Sequence, residues 1–201
     1  MFITTDLLDS TRFYAEEISM SDAVSQRYST GAIIFHWLIA LAVIINWRIA
    51  ESAEHLEGAA RSAVMSNHFA LGMIILVLTV LRIIWRLTHT PPPLSDRLKS
   101  WEKALARGAH ALFYILLIGL PLGGWIGLSG YGASINFWGM GELGALPVGF
   151  GEETGHEILE LHGTGGSIMI YLMFLHILGA LKHSFIDKIP SLSRMWFGSA
   201  R

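Results

Sequence analysis

Long stretches without Asp, Glu, Lys or Arg most constrain what this chain can fold into. A membrane-spanning helix needs about 20 consecutive, mainly apolar residues. Four charge-free runs meet this length, at Tyr28–Trp47, Ser62–Leu81, Gly108–Gly141 and Leu161–Leu181. The third run is too long for one span and becomes rich in Gly and polar residues after Leu128. The runs therefore predict an all-α integral membrane four-helix bundle, with helices at about 29–50, 63–87, 105–128 and 157–183.

Basic residues fall almost entirely on one side of these helices. Of the 14 Lys and Arg residues, only Arg48 and Arg61 lie on the other side. Loops rich in Lys and Arg remain in the cytoplasm, so we expect both termini to be cytoplasmic. Residues 1–26 lack the cationic start and apolar core of a signal peptide. We interpret 1–26 as a cytoplasmic tail, with Met20 as an alternative start, and 197–201 as a short C-terminal tail.

Composition excludes several classes of protein. Charged residues make up 15% of the chain, against about 25% in soluble domains, and so apolar a chain is not disordered. The chain has no cysteine, which excludes disulfides, thiolate zinc sites, iron–sulfur clusters and covalently attached c-type haem. The formal net charge of −2 gives no electrostatic reason to bind nucleic acid.

Histidines inside the predicted spans indicate a functional site, because ionisable residues are costly in a membrane and usually have a function there. On the fourth helix, His162 and His176 share a face and lie about 21 Å apart along the axis. His36 on the first helix matches the depth of His176. His68 on the second helix matches the depth of His162 more loosely. The spacing therefore predicts two histidine pairs, an inner one and an outer one.

Small residues follow these four histidines one helical turn later, at Ala40, Gly72, Gly166 and Ala180. His110, His156 and His183 are instead followed by Tyr114, Glu160 and Asp187. Small neighbours would leave room for a flat cofactor such as haem between the helices. Two alternatives remain open: the small residues only let helices approach, and the histidines are hydrogen-bonded polar residues. Zinc is less suitable, because it needs three or four ligands around one point.

Several short motifs occur in a characteristic order along the chain. They are Arg27-Tyr28, Phe35-His36-Trp37, Asn67-His68, Leu81-Arg82-Ile83-Ile84-Trp85-Arg86, Ala109-His110, Pro121-Leu122-Gly123-Gly124-Trp125, His162, His176, Ala180-Leu181-Lys182-His183-Ser184-Phe185 and Ser193-Arg194-Met195. With these motifs the chain resembles the bacterial cytochrome b561 family over about 27–196.

The resemblance implies a multi-pass protein of the bacterial inner membrane with two non-covalent b haems. It assigns His36 and His176 to the inner haem, and His68 and His162 to the outer haem, as axial iron ligands. His110 also matches a family position but is not assigned as a ligand. Two axial histidines leave no open iron position, so the expected chemistry is electron transfer rather than oxygen activation. The family further implies exchange with membrane quinone, and some members are thought to oxidise superoxide at the outer face.

Other site residues are expected from charge and position. His183 and Lys182 lie near the inner end of the fourth helix and are candidates for a quinone site. Their alternative role is to cap the helix and meet lipid head groups. Three inner arginines, Arg27, Arg82 and Arg86, are candidates to pair with haem propionates.

The outer face is acidic, which opposes the approach of an anion such as superoxide. Arg48 and Arg61 are its only cations and could form a local anion funnel.

Two alternative functions compete with a quinone-linked di-haem cytochrome. The chain could be a cytochrome b anchor subunit that connects a periplasmic dehydrogenase or hydrogenase to quinone, since the long Gly-rich outer loop offers a docking surface. It could instead be a small transporter that uses its histidines as proton relays. The outer redox partner and the direction of electron flow are left open by the sequence.

Overall fold

The computed structural model describes residues 27–197, so the predicted 1–26 tail, Met20 and nearly all of the 197–201 tail lie outside the described residues. Four long helices dominate this part of the chain. They are α1 (Thr30–Ser52), α2 (Gly58–Thr88), α3 (Ser100–Ser129) and α4 (Glu152–Leu181). A π-helical turn at Lys182–Ile186 continues α4, and a 3₁₀ turn covers Ser193–Met195.

All four helices are long and apolar enough to cross a membrane, which agrees with the predicted integral membrane bundle. Large side chains such as Leu41, Ile115, Leu161 and Phe174 are exposed, as expected for surfaces that face lipid. The second, third and fourth helices each begin about one turn before the predicted start. The charge-free runs mark only the apolar part of each helix, whereas the helices extend into the polar zone that carries Arg61, Glu102 and Glu152.

The helices pack in sequence order around the bundle, α1 on α2, α2 on α3 and α3 on α4, while α1 and α4 contact each other little. Each helix contributes one buried side chain to a central layer formed by Ile39, Ile75, Leu117 and Met169. On α4, Met169 lies midway between His162 and His176. This apolar layer therefore separates the two predicted histidine pairs along the bundle axis.

The two ends of the bundle differ in charge. We call the end with the α2–α3 connection and the segments at 27–29 and 187–197 the basic end. We call the end with the α1–α2 and α3–α4 connections the acidic end. At the basic end, Ser29 caps α1 by accepting the Ala32 N–H, and it also accepts the indole N–H of Trp85 at 3.0 Å.

A small antiparallel hairpin at the acidic end, absent from the sequence prediction of a loop, pairs β1 (Ile135–Asn136) with β2 (Glu142–Leu143). The indole of Trp138, at the hairpin turn, donates to Oδ1 of Asn67 at 2.8 Å. Asn67 directly precedes His68 on α2, so the hairpin is attached beside one of the predicted site histidines.

Candidate functional site

The acidic-end pair joins α2 to α4. The ring centres of His68 and His162 are 5.8 Å apart, with their planes nearly perpendicular. Nδ1 of His68 lies 3.1 Å from the carbonyl of Asn46 on α1, and Nδ1 of His162 lies 2.8 Å from the carbonyl of Leu120 on α3. A carbonyl only accepts, so each Nδ1 carries the proton and each Nε2 keeps its lone pair. This is the orientation that metal-bound histidines show, with the second nitrogen donating to a carbonyl.

The α3 backbone beside His162 is adapted to this contact. Pro121, which follows Leu120, has no N–H, so α3 lacks the helical hydrogen bond to the Leu117 carbonyl close to this contact. A Cβ at Gly124, one turn later, would lie 3.2 Å from Cε1 of His162. Gly124 therefore gives the imidazole room to reach the Leu120 carbonyl.

The basic-end pair joins α1 to α4, with the ring centres of His36 and His176 at 6.3 Å. The imidazole of His36 is oriented differently from those of the acidic-end pair. Nη2 of Arg82 lies 3.4 Å from Nδ1 of His36, and a guanidinium can only donate. In this arrangement Nδ1 of His36 accepts, so binding of iron through Nε2 requires Arg82 to release this nitrogen.

A third histidine, His110 on α3, lies in the same basic-end cluster. Its ring centre is 5.8 Å from that of His176, so distance alone does not show whether His110 or His36 is the partner of His176. Helix packing distinguishes the two, because α3 and α4 pack directly whereas α1 and α4 contact each other little. A flat cofactor fits more readily between His36 and His176, across the open side of the bundle.

Both pairs fit a haem by their spacing, and the acidic-end pair also fits it by the orientation of its nitrogen atoms. Two imidazoles on opposite sides of one metal ion have ring centres about 6 Å apart, since a metal–imidazole bond is about 2 Å long. The pairs at 5.8 Å and 6.3 Å agree with this value. A Cβ at Gly166, one turn from His162, would meet no atom within 4 Å. The space beside this histidine is therefore open, as a macrocycle requires.

Lys182 and His183, the predicted quinone-site residues, lie in a charged cluster at the basic end. Nδ1 of His183 is 2.6 Å from Oδ2 of Asp187, and Nζ of Lys182 is 2.8 Å from the same oxygen. Lys182 also donates to Oε1 of Glu102 at 2.7 Å. These contacts with Lys182 and His183 hold the pKa of Asp187 below its usual value. The carboxylate therefore stays ionised at neutral pH.

The remaining predicted residues have other partners. Arg48 pairs with Glu51, and Arg61 donates to the Ala53 carbonyl at 2.7 Å, so both cations lie at the acidic end of the α1–α2 hairpin. Arg27 donates to the Trp196 carbonyl at 2.5 Å. Arg82 lies with its guanidinium 5.8 Å from the centre of the Tyr114 ring. Arg86 lines a cleft at the basic end together with Arg82, Trp85 and His89.

Several site residues were not anticipated from the sequence. The carbonyls of Asn46 and Leu120 orient the acidic-end histidines, and only Pro121 within an apolar run signals an irregular backbone there. Glu102 and Asp187 form the charged cluster with Lys182. The sequence places Asp187 one turn after His183, but no sequence pattern connects Glu102 with Lys182, which lies 80 residues later in the chain.

A membrane bundle that holds facing histidine pairs in its interior belongs to the class of helical membrane cytochromes that bind haem without covalent attachment. The sequence model described as prokaryotic cytochrome b561 matches residues 27–198, and the chain belongs to this family. It is thus a multi-pass bacterial membrane haem protein of electron transport. The predicted resemblance and fold class are confirmed.

Named relatives span nearly the whole chain at modest identity. The chain is 29% identical over 170 residues to a probable superoxide oxidase, CybB, of Yersinia pestis, covering 85% of this chain and 96% of the relative. It is 27% identical over 175 residues to cytochrome b561 homolog 2 of Escherichia coli K12, covering 85% and 91%. It is 25% identical over 174 residues to cytochrome b562 of Cereibacter sphaeroides, covering 84% and 94%.

Proposed function

We propose that this protein is a di-haem cytochrome that transfers electrons between membrane quinone and a substrate at the acidic end. The observation that carries the proposal is the arrangement of the histidines. Two facing pairs lie at different depths of the bundle, with ring centres 5.8 Å and 6.3 Å apart. An apolar layer separates the pairs. A single cofactor would need only one of them.

In this proposal His68 and His162 hold the outer haem, and His36 and His176 hold the inner haem. A haem with two axial imidazoles supplies one-electron transfer without an open coordination position. The chain's own contribution is to orient the ligands and to keep water away from the path between the sites. Ile39, Ile75, Leu117 and Met169 form the dry contact between them.

Quinone reacts at the basic end in this proposal, which we place on the cytoplasmic side of the inner membrane because of its Lys and Arg content. Reduction of one quinone consumes two electrons and two protons. His183 lies seven residues beyond the inner ligand His176 and has a free imidazole nitrogen, Nε2, to exchange a proton with a quinone oxygen.

Superoxide is the acidic-end substrate that the comparisons favour, since one relative bears the name of a probable superoxide oxidase. Each superoxide would give up one electron and leave as molecular oxygen. Two such electrons, with two protons from the basic end, reduce one quinone to quinol. In this proposal Arg48 and Arg61, which lie at the acidic end, attract this anion.

Haem content after substitution of the acidic-end ligands tests the proposal. We expect the purified protein to contain two b haems per chain, measured as the pyridine haemochrome. His68→Ala and His162→Ala should each remove the outer haem and leave the inner one, because a haem needs both of its axial imidazoles to be held tightly. His156→Ala, which changes an exposed histidine on α4, is the matched control and should keep both. One haem per chain in the unmodified protein would disprove the di-haem proposal.

A further inference from the structure

The charged cluster at the basic end differs from an ordinary surface ion pair in its depth and connectivity. Glu102, at the start of α3, is 8% exposed. Its Oε2 accepts the backbone N–H of Lys99 at 3.0 Å, while its Oε1 accepts from Lys182. Both carboxylate oxygens are thus used, one to cap α3 and one to bind the end of α4.

Lys182 connects this buried carboxylate to a second one. Its Nζ lies 2.7 Å from Glu102 and 2.8 Å from Asp187. The guanidinium of Arg97 holds the same segment from the α2–α3 connection, by donating to the carbonyls of Asp187 and Lys188 at 2.8 Å each. Asp187 is therefore fixed through both its side chain and its backbone.

The consequence for His183 is a defined tautomer. The carboxylate of Asp187 is ionised and can only accept, so Nδ1 of His183 carries the proton and Nε2 has the lone pair. Asp187, Lys182 and Glu102 are the ionisable groups that the structure places around His183. Of these, Asp187 is in direct contact with the imidazole, through Nδ1.

Water can reach the charged cluster of Glu102, Lys182 and Asp187. Arg97, Lys99, Glu102, Lys182, Asp187 and Ile189 line an open cleft of about 260 Å³ at the basic end. A cleft lined almost wholly by charged side chains suits water rather than a quinone ring or its apolar tail. Asp187 thus lines this cleft and also contacts His183, which is not itself a lining residue.

We infer that Asp187 is a positioning residue for proton exchange with quinone: it holds His183 in the tautomer that presents Nε2 to the substrate. Lys182, bound to the buried Glu102, keeps Asp187 in place. The inference rests on the proposed quinone reaction at His183. For each of the two electrons that a quinone accepts, protonated His183 gives one Nε2 proton to a quinone oxygen, so two such steps form the quinol. After each step, a proton from bulk solvent restores the imidazolium.

Asp187→Asn tests this inference because the amide keeps the size of the side chain and removes its charge. Protein with both haems reduced is mixed with ubiquinone-1, and haem reoxidation is followed optically over a range of pH. We expect reoxidation to slow at least about tenfold, since a positioned proton donor contributes 10²-fold or more. Asp187→Glu should restore part of the rate.

Nitrogen NMR of histidine-labelled holoprotein gives a readout that does not depend on turnover. The His183 resonances, assigned by their loss in His183→Ala, should show the Nδ1–H tautomer in the unmodified protein and a mixture in Asp187→Asn. Asp96→Asn is the matched control, since Asp96 is a fully exposed aspartate at the same end, paired with Lys103 at 3.5 Å. It should change neither the tautomer nor the rate.

The outcomes separate this inference from the proposed function. If His183→Ala reacts at the normal rate with both haems bound, the proposed quinone site is wrong. If His183→Ala is slow but Asp187→Asn matches the unmodified protein in rate and tautomer, only the positioning role is overturned. Should Asp187→Asn lose haem, Lys182→Gln takes its place. Slower reoxidation together with a mixture of His183 tautomers then supports the inference, and an unchanged rate and tautomer refute it.

Discussion

The orientation of each imidazole decides which of its nitrogens can bind iron. At the acidic end, the carbonyls of Asn46 and Leu120 hold both histidines with Nε2 available. At the basic end, Arg82 donates to Nδ1 of His36, and His110 offers a second imidazole near His176. The acidic-end pair is therefore ready to bind iron, whereas the basic-end site needs Arg82 to rearrange.

Single substitutions of His36 and His110 distinguish the two assignments at the basic end. We expect His36→Ala to lose the inner haem, because no other α1 residue presents an imidazole across the open side of the bundle. His110→Ala should retain both haems, with a small change in the inner haem spectrum owing to its contact with His176. Haem content and the reduced-minus-oxidised optical spectrum measure both effects. Loss of a haem in His110→Ala but not in His36→Ala would move the ligand role to His110.

At the scale of the helices, a glycine leaves open space beside His162, one of the proposed ligands. Gly166 on α4 is partly buried, and a Cβ there would meet no atom within 4 Å. Gly163, on the same helix, is equally free of neighbours but exposed. The two glycines therefore differ in whether an added side chain would enter the bundle or face the lipid.

Leucine at these two positions tests whether the open space belongs to the outer haem. We expect Gly166→Leu to exclude the outer haem while the inner haem stays bound, because the added side chain occupies the volume beside His162. The pyridine haemochrome assay should then give one haem per chain. Gly163→Leu should retain both haems, since its side chain points to the exposed face. If Gly166→Leu binds both haems normally, the cofactor does not use this space.

The sequence predicts the four long helices and the positions of the histidines on them, but it predicts few of the contacts around the histidines. Charge-free runs locate the spans because a charged side chain is costly in lipid. Helical periodicity then places His162 and His176 on one face. The π-helical turn at Lys182–Ile186 and the bond between Trp138 and Asn67 could not be predicted. They depend on contacts between segments that are distant in sequence, and hydrophobic periodicity carries no information about such contacts.

At the scale of the whole molecule, the two ends offer different environments to charged molecules. The basic end carries the cluster around Lys182, together with Arg86, Arg97 and Arg194. The acidic end carries glutamates on both of its connections, with Arg48 and Arg61 as the cations that the structure places there. Electrons and protons would thus enter from opposite ends, with the electron donor meeting a field that is negative overall.

The ionic-strength dependence of superoxide oxidation shows whether the two arginines overcome that field. The charge of Arg48 is offset by Glu51, whereas Arg61 binds a neutral carbonyl, so Arg61 should attract the anion more strongly. We expect the rate of haem reduction by superoxide to fall as salt is added, because salt at about 0.1 M screens the attraction between exposed charges more than about 10 Å apart. Arg61→Gln should lower the rate at low salt more than Arg48→Gln does, and high salt should remove the difference. The measurement is stopped-flow reduction of the haems at several salt concentrations, with neutral reductant as the control. If the rate rises with salt and is unchanged by both substitutions, the negative potential of the acidic end dominates and superoxide approaches at another place.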